Sequence, residues 1–185
     1  MLFMKKRLFF LFYFISIVLF SQYKSGVIHF KNGATLNGQI KITKHHEIIF
    51  NENNSKKKFD HTKVNKIVFS DSIEHHYKKR KKTTLLLKKE VEGPLELYSL
   101  ASYFSGFSDG SRSGMYIDHY LGEKGSDFVE IIPSNLEKKR FRKFIAKYTS
   151  KCKSLLEKIQ DKKSLKSNFD SNIINIIKYN NNCID

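Results

Sequence analysis

Apolar and polar side chains alternate along the chain from residue 26 onward, which is the pattern of half-buried β-strands. Ile28 and Phe30 share one parity, and Leu36 resumes that parity after a turn at residues 31–34. The Asn-Gly pair in that turn tolerates the positive φ of a tight connection. We therefore predict a β-hairpin. Gly38 falls on the apolar face of its second strand, which indicates a bulge or close packing rather than a ligand site.

Further segments with the same alternation predict an antiparallel β-meander, which is expected to curl into a small barrel or half-barrel. A polar turn at residues 51–55 separates the early strands, and a Glu-Gly-Pro turn at residues 92–94 separates the later ones. Residues 104–114 are rich in Gly and Ser and predict a flexible loop. The predicted strands after the hairpin cover residues 47–50, 58–60, 66–69, 83–91, 95–100, 115–120 and 128–132.

The spacing of apolar residues changes to that of a helix after Pro133. Ser134 and Glu137 form a capping-box pattern, in which the hydroxyl and the carboxylate accept hydrogen bonds from free backbone N–H groups at a helix start. One face of the predicted first helix carries Phe141, Phe144, Ile145 and Tyr148.

Two shorter helical segments follow. Residues 154–159 predict a second helix, and Asp170 or Ser171 is expected to cap a third. The predicted fold is α+β, an antiparallel β-meander or small barrel followed by two or three C-terminal helices. In this division residues 22–133 form the β region, and residues 134–185 form a helical segment that packs on the sheet.

The amino-terminal segment, residues 1–21, has the pattern of a signal peptide. Lys5, Lys6 and Arg7 precede an apolar run at residues 8–20, which is shorter than the roughly 20 residues that a membrane-spanning helix needs. Cleavage is expected near Ser21, so that the mature protein is periplasmic or extracellular. Leu19 departs from the small residue usual before a cleavage site, and an uncleaved segment that anchors the chain to the membrane stays open as an alternative.

The chain is strongly basic, with a formal net charge of +16. Removal of three cations with the signal segment lowers that charge only slightly, so anionic partners are attracted. The largest cluster is a five-cation run: Lys78, Lys79, Arg80, Lys81 and Lys82. It is a candidate site for phosphates or acidic sugars, and the alternative is a solvated loop or edge strand whose lysines prevent edge-to-edge association. The cations from Lys138 to Lys143 are expected to form a solvated helix face.

Cys152 and Cys183 are the two cysteines of the chain. In an exported protein an even number of cysteines favours one disulfide, because the compartment is oxidising. The two residues flank the last two predicted helices, so a bridge between the helix ends is geometrically reasonable. Two unpaired thiols are the alternative.

Motifs for catalysis or for metal and cofactor binding are scarce in the sequence. His45-His46 and His75-His76 are adjacent pairs, and in a strand adjacent side chains face opposite sides, so neither pair readily places both rings on one metal. Ser108 lies between two glycines, but without the strand and helix that a nucleophile elbow needs. No phosphate loop or dinucleotide fingerprint is present. We therefore predict no cofactor and no metal, and a metal site built from one histidine of each pair is the alternative.

The order of motifs resembles a widespread family of uncharacterised exported proteins from Bacteroidetes. The resemblance rests on the hairpin pattern from Gly26 to Ile40, on the strand from Val91 to Tyr98, and on the closing helical segment at residues 141–183. These motifs consist of turns and core positions. The resemblance therefore implies a fold and an exported location, and it implies no activity.

The favoured function is a non-enzymatic accessory or binding module of the cell envelope, with envelope proteins or anionic surface polymers as the expected partners. A membrane contact is expected only through an uncleaved signal segment. A second hypothesis is an anion-binding protein that uses the five-cation run on polysaccharide, lipid headgroups or nucleic acid. An enzyme is a third hypothesis, and it is disfavoured because no set of acid, base, nucleophile and stabiliser can be assembled from the residues.

Overall fold

The computed structural model describes residues 23–52, 55–104, 114–134, 139–169 and 172–183. These residues form antiparallel strands followed by helices, which confirms the predicted α+β class. The chain divides into two compact units, Met1–Glu74 and His75–Asp185. The predicted signal segment at residues 1–21 lies outside the described residues.

The first unit contains β1 (Lys24–Phe30), β2 (Thr35–Ile42), β3 (Ile48–Glu52), β4 (Ser55–Phe59) and β5 (Val64–Phe69). The predicted hairpin is confirmed: β1 and β2 pair with Ile28 opposite Leu36, and Gly33 has a φ of 87° in the turn. The strand order β5-β1-β2-β3-β4 places β5 beside β1. The first unit is therefore not a simple meander.

The first unit is strongly curled but is not a closed barrel. The rings of Phe30 and Phe59 lie 5.1 Å apart, although β2 and β3 separate their strands in the sheet. Among the described residues no ladder joins β4 to β5. Gly38 is explained by close packing, because a Cβ atom there would lie 2.5 Å from the Phe50 ring. The pairing of β1 with β2 runs without a shift past Gly38, so this position is not a bulge.

The second unit contains β6 (Glu74–Arg80, whose first residue belongs to the first unit), β7 (Thr83–Val91), β8 (Leu95–Phe104), β9 (Gly114–Glu123) and β10 (Glu130–Ile131). Each strand pairs antiparallel with the next. Two predictions at the strand ends were wrong. Phe104 and Gly114 belong to strands rather than to the predicted loop, whose residues 105–113 lie outside the described part. The last strand is much shorter than the predicted residues 128–132.

The five-cation run falls between the predicted strands at residues 66–69 and 83–91, and the structure contains an additional strand there, β6. The first three residues of the run belong to β6, and Lys81 and Lys82 form a two-residue hairpin turn into β7. Lys81 has a φ of 54°, a left-handed conformation suited to such a turn.

Four helices are described: α1 (Lys139–Tyr148), α2 (Lys153–Lys158), α3 (Lys162–Phe169) and α4 (Ile173–Asn181). Helix α3 was not predicted. Asp161 begins it, since its Oδ1 accepts a hydrogen bond from the Ser164 N–H at 2.9 Å. Asn172 caps α4 in the same way through the Ile174 N–H at 2.9 Å. The predicted caps Asp170 and Ser171, and most of the capping box at residues 134–137, lie outside the described residues.

The helices pack on one face of the sheet of the second unit. Their apolar side chains share one core with the sheet: Val91, Leu95, Leu97, Leu121, Ile132, Phe141, Ile145, Cys152, Leu155, Ile159, Leu165, Phe169, Ile173, Ile176 and Ile177. The Asn181 side chain joins α4 to β8 directly. Its Oδ1 accepts from the Leu95 N–H at 3.0 Å, and its Nδ2 donates to the Leu95 carbonyl at 2.8 Å. Gly93, with a φ of 152°, leaves room for that side chain, because a Cβ atom there would collide with it.

Candidate functional site

Along β8 and β9, the side chains on the sheet face that carries the helices change from buried and apolar to polar and then to exposed. Side chains two residues apart on a strand point to the same face. Leu97 and Leu121 are paired and completely buried under the helices. The next two rungs on this face are Ser99 opposite His119, and then Ala101 opposite Ile117. The face thus passes from an apolar covered end, through a polar rung, to an uncovered end.

The polar rung contains the arrangement closest to a catalytic set. Ser99 Oγ donates a hydrogen bond to Glu90 Oε1 at 2.5 Å, and Lys88 Nζ lies 3.1 Å from Glu90 Oε2. Burial lowers the pKa of the His119 imidazole, and the carboxylates of Glu90 and Asp118 partly oppose this shift. The Ser99 hydroxyl hydrogen points to the Glu90 carboxylate, which also forms an ion pair with Lys88. We therefore interpret this rung as a hydrogen-bonded polar border of the core under the helices.

Beyond this rung, residues 100–104 and 114–118 form a two-stranded arm. Its described side chains include exposed apolar groups on both faces: Tyr103 is 81% exposed, Met115 54%, Tyr116 50% and Ile117 50%. Tyr103 and Met115 are cross-strand partners. The pairing of β7 with β8 ends at Lys88 and Ser99, so among the described residues the arm is held mainly by its own internal ladder. The sequence predicted strand at residues 115–118 of the arm, but it did not predict the continuation of β8 through residues 101–104 or the exposure of the arm.

Helices α1–α4, with their described connections, form a strongly basic surface that we call the helical cap. Its only carboxylates among the described residues are Glu157 and Asp161. Its cations are Lys139, Arg140, Arg142, Lys143, Lys147, Lys151, Lys153, Lys158, Lys162, Lys163, Lys166 and Lys178. All except Arg142 and Lys158 are exposed. Lys147 donates a hydrogen bond to Glu130 at 2.7 Å, which lowers the pKa of that carboxyl.

The five-cation run does not form one exposed cationic surface. Lys78 is buried, with Nζ 3.6 Å from Glu96 Oε2, 2.6 Å from the Ser126 carbonyl oxygen, and 5.0 Å from the centroid of the Tyr98 ring. Arg80 is half-buried and forms a hydrogen bond to Tyr120. Lys79 is exposed beside the ring of Phe128, and Lys81 and Lys82 are exposed in the turn. Only part of the run is therefore accessible to an anion.

The structure brings Cys152 and Cys183 together as a disulfide between the start of α2 and the end of α4, with Cα atoms 5.9 Å apart. Ser154 Oγ lies 3.5 Å from the sulfur of Cys152 and 3.4 Å from that of Cys183. The Tyr179 hydroxyl donates a hydrogen bond to the same Ser154 oxygen at 3.3 Å. The bridge is therefore set in the core of the helical cap.

The histidine pairs occupy two different settings. His75 and His76 lie in β6, where adjacent side chains point to opposite faces, whereas His45 and His46 lie in the turn between β2 and β3. Within the described ranges, no cluster of three or more His, Cys, Asp or Glu side chains could hold a metal ion. The glycine-flanked Ser108 lies outside those ranges. None of the described helices has the length and apolar character needed to cross a membrane.

Comparison with known proteins gives no relative: the chain matches no protein-family model, no curated protein and no solved structure.

Proposed function

We propose that this chain is an exported, non-enzymatic module of the cell envelope that binds anionic polymers or surfaces through its helical cap. The observation that carries the proposal is the charge of the cap, which presents twelve cations and two carboxylates within residues 139–169 and 172–183. Clustered exposed cations bind phosphate, sulfate or carboxylate groups mainly by electrostatic attraction and by release of counterions.

Export is supported by the amino-terminal pattern of a basic stretch followed by a short apolar run. The pairing of Cys152 with Cys183 fits an oxidising compartment, because structural disulfides persist there and are rare in a reducing one. An envelope location also provides anionic lipids and polysaccharides as ligands of the expected charge.

The five-cation run is the second candidate for the anion contact. Three of its residues, Lys79, Lys81 and Lys82, are exposed. The helical cap is favoured because it has many more exposed cations. Replacement of the whole run would be uninformative, since it also removes the buried cation Lys78.

The proposal is tested by the salt dependence of binding to heparin and to inorganic polyphosphate. The cap variant replaces three exposed residues of α1: Lys139→Gln, Arg140→Gln and Lys143→Gln. The matched control replaces the exposed lysines of β4: Lys56→Gln, Lys57→Gln and Lys58→Gln. Both variants lose the same net charge.

We expect the cap variant to elute at lower salt and to reduce the slope of log affinity against log salt by about 2, since each contacting cation contributes up to about one unit. The control should change that slope by less than about half a unit. Equal effects of the two variants would show that only the total charge matters, and the cap would not be the binding surface. A wild-type protein that fails to bind either polymer would overturn the anion-binding proposal itself.

A further inference from the structure

We infer that the anionic partner of the helical cap is a phospholipid bilayer, and that the arm inserts its exposed apolar side chains into the surface of that bilayer. This inference rests on the proposed function and adds a ligand class and a second contact to it. It begins from the arm, because Tyr103, Met115, Tyr116 and Ile117 are each at least half exposed. Grouped exposed apolar side chains of this kind mark contact sites.

The two strands of the arm carry almost no charge. Lys and Arg make up 34 of the 185 residues, yet residues 100–104 and 114–118 contain neither, and their only charged residue is Asp118 at the base of the arm. The edge strand β4 of the first unit shows the contrasting pattern, with exposed lysines at positions 56, 57 and 58. Lysines on an edge strand oppose edge-to-edge pairing with another strand. The arm carries no such protection.

Tyr103, Met115 and Ile117 lie on the face of the sheet that carries the helical cap, whereas Tyr116 lies on the opposite face. Met115, Ile117, His119 and Leu121 are spaced two residues apart along β9. They therefore share one face of the sheet, which is the face that Leu121 presents to the helices. A surface that approaches this face near the arm therefore also approaches the basic helices. An anionic bilayer complements both features, because it offers negative headgroups and an apolar layer just beneath them.

The dimensions of the arm indicate shallow insertion. Five residues of extended strand span roughly 17 Å. Interfacial protein elements place their apolar side chains roughly 5–10 Å into the boundary between headgroups and acyl chains. Deeper insertion is disfavoured, because the outer edges of a two-stranded arm present backbone groups that need water or headgroups as partners. Tyr103 and Tyr116 suit this depth, since a tyrosine has an apolar ring and a polar tip.

The experiment measures binding of the full chain to vesicles of phosphatidylcholine with a minority of phosphatidylglycerol. The arm variant carries Tyr103→Ser, Met115→Ser and Ile117→Ser. Phe128→Ser is the control, because Phe128 is 61% exposed and lies outside the arm. Far-UV circular dichroism and thermal unfolding establish that each variant is folded. We expect the arm variant to lose at least about tenfold in vesicle partitioning, and the control less than about threefold.

Heparin binding distinguishes failure of this inference from failure of the proposed function. The arm variant should bind heparin as the wild type does, because it retains the helical cap. Wild-type protein that binds heparin but not the vesicles, or an arm variant that binds vesicles normally, would overturn the inference and leave the proposed function intact. Dimerisation of the wild type that the arm substitutions abolish would assign the arm to a second copy instead, which also overturns it.

A fluorescence measurement gives a second, independent test that does not depend on loss of binding. The chain contains no tryptophan, so Tyr103→Trp introduces a single reporter in the arm and Phe128→Trp a matched reporter elsewhere. On vesicles, the emission of the arm reporter should shift to shorter wavelength and be quenched by lipids labelled at a shallow acyl position. Vesicle binding without a shift in the arm reporter would contradict insertion.

Discussion

At the residue scale, Lys78 is a cation of the five-cation run whose side chain is buried and paired with a carboxylate. Its Nζ lies 3.6 Å from Glu96 Oε2, and both side chains are nearly inaccessible to solvent. The Tyr98 hydroxyl donates a hydrogen bond to the same carboxylate at 2.8 Å, and the Ser126 carbonyl oxygen accepts one from Lys78 at 2.6 Å. Removal of one charge from such a pair leaves the other buried without compensation, which costs more than the pair itself contributes.

We therefore predict that Lys78→Met lowers the free energy of unfolding by about 3 kcal/mol. The double variant Lys78→Met with Glu96→Gln should recover more than half of that loss, because it removes the uncompensated carboxylate. Urea unfolding of the two variants measures the difference. The exposed neighbour Lys82 provides the control, and Lys82→Met should change stability by less than about 0.5 kcal/mol. A double variant no more stable than Lys78→Met would contradict the assignment of a buried ion pair.

At the scale of secondary-structure elements, the helical cap is built from helices that are too short to be stable alone. Helix α2 has 6 residues and α4 has 9, whereas isolated helices shorter than about 12 residues are marginal in water. Their stability therefore comes from the shared apolar core and from covalent and polar links to other elements. The disulfide joins the beginning of α2 to the end of α4, and Asn181 joins α4 to β8.

The disulfide closes a segment with a sequence separation of 31. We predict that Cys152→Ser with Cys183→Ser lowers the free energy of unfolding by about 3 to 4 kcal/mol, because the unfolded chain regains the conformational freedom of that loop. Chemical denaturation with and without reductant measures the effect. Reductant should lower the stability of the wild type and leave that of the double variant unchanged. If reductant leaves the free energy of unfolding of the wild type unchanged in chemical denaturation, the disulfide does not stabilise the fold and the prediction is wrong.

The elements also show where sequence patterns suffice. The β1–β2 hairpin, β7 and α1 were predicted because alternation, an Asn-Gly turn and helical spacing are local signals. Helix α3 was missed because Leu165 and Phe169 are its only apolar positions, too few to define a period. The burial of Lys78 depends on Ser126, 48 residues away, and the link from Asn181 reaches Leu95 across 86 residues. Such contacts follow from strand register and helix packing, which no local pattern encodes.

Exposure of the arm was unpredictable for the same reason. Alternation identifies the two faces of β8 and β9, but it does not reveal where the helices stop covering one of them. Lys and Arg are absent from β8 and β9 in a chain rich in lysine, but they are also absent from residues 45–55 and 67–77, so this absence alone does not mark the arm.

At the scale of the whole molecule, the net charge of +16 bears on the stability of the fold and on the proposed binding of anions. Like charges that are crowded on the helical cap repel one another, so the folded protein gains stability when anions occupy that surface. A ligand that binds only the folded state stabilises it by about 2.7 kcal/mol at one hundred times its dissociation constant. For a protein of this size, such a gain raises the melting temperature by roughly 5 to 10 °C.

We therefore predict that saturating inorganic tripolyphosphate raises the melting temperature of the wild type by roughly 5 °C or more relative to sodium chloride at the same ionic strength. Equal ionic strength removes general screening from the comparison, and low millimolar concentrations avoid the nonspecific stabilisation by excluded salts. The variant with Lys139→Gln, Arg140→Gln and Lys143→Gln should lose at least half of this shift. The β4 control variant should retain it, since its three lysines lie in the first unit, outside the cap. A shift of equal size in both variants would mean that the anion responds to the total charge of the chain, and the cap would then have no special part in recognition.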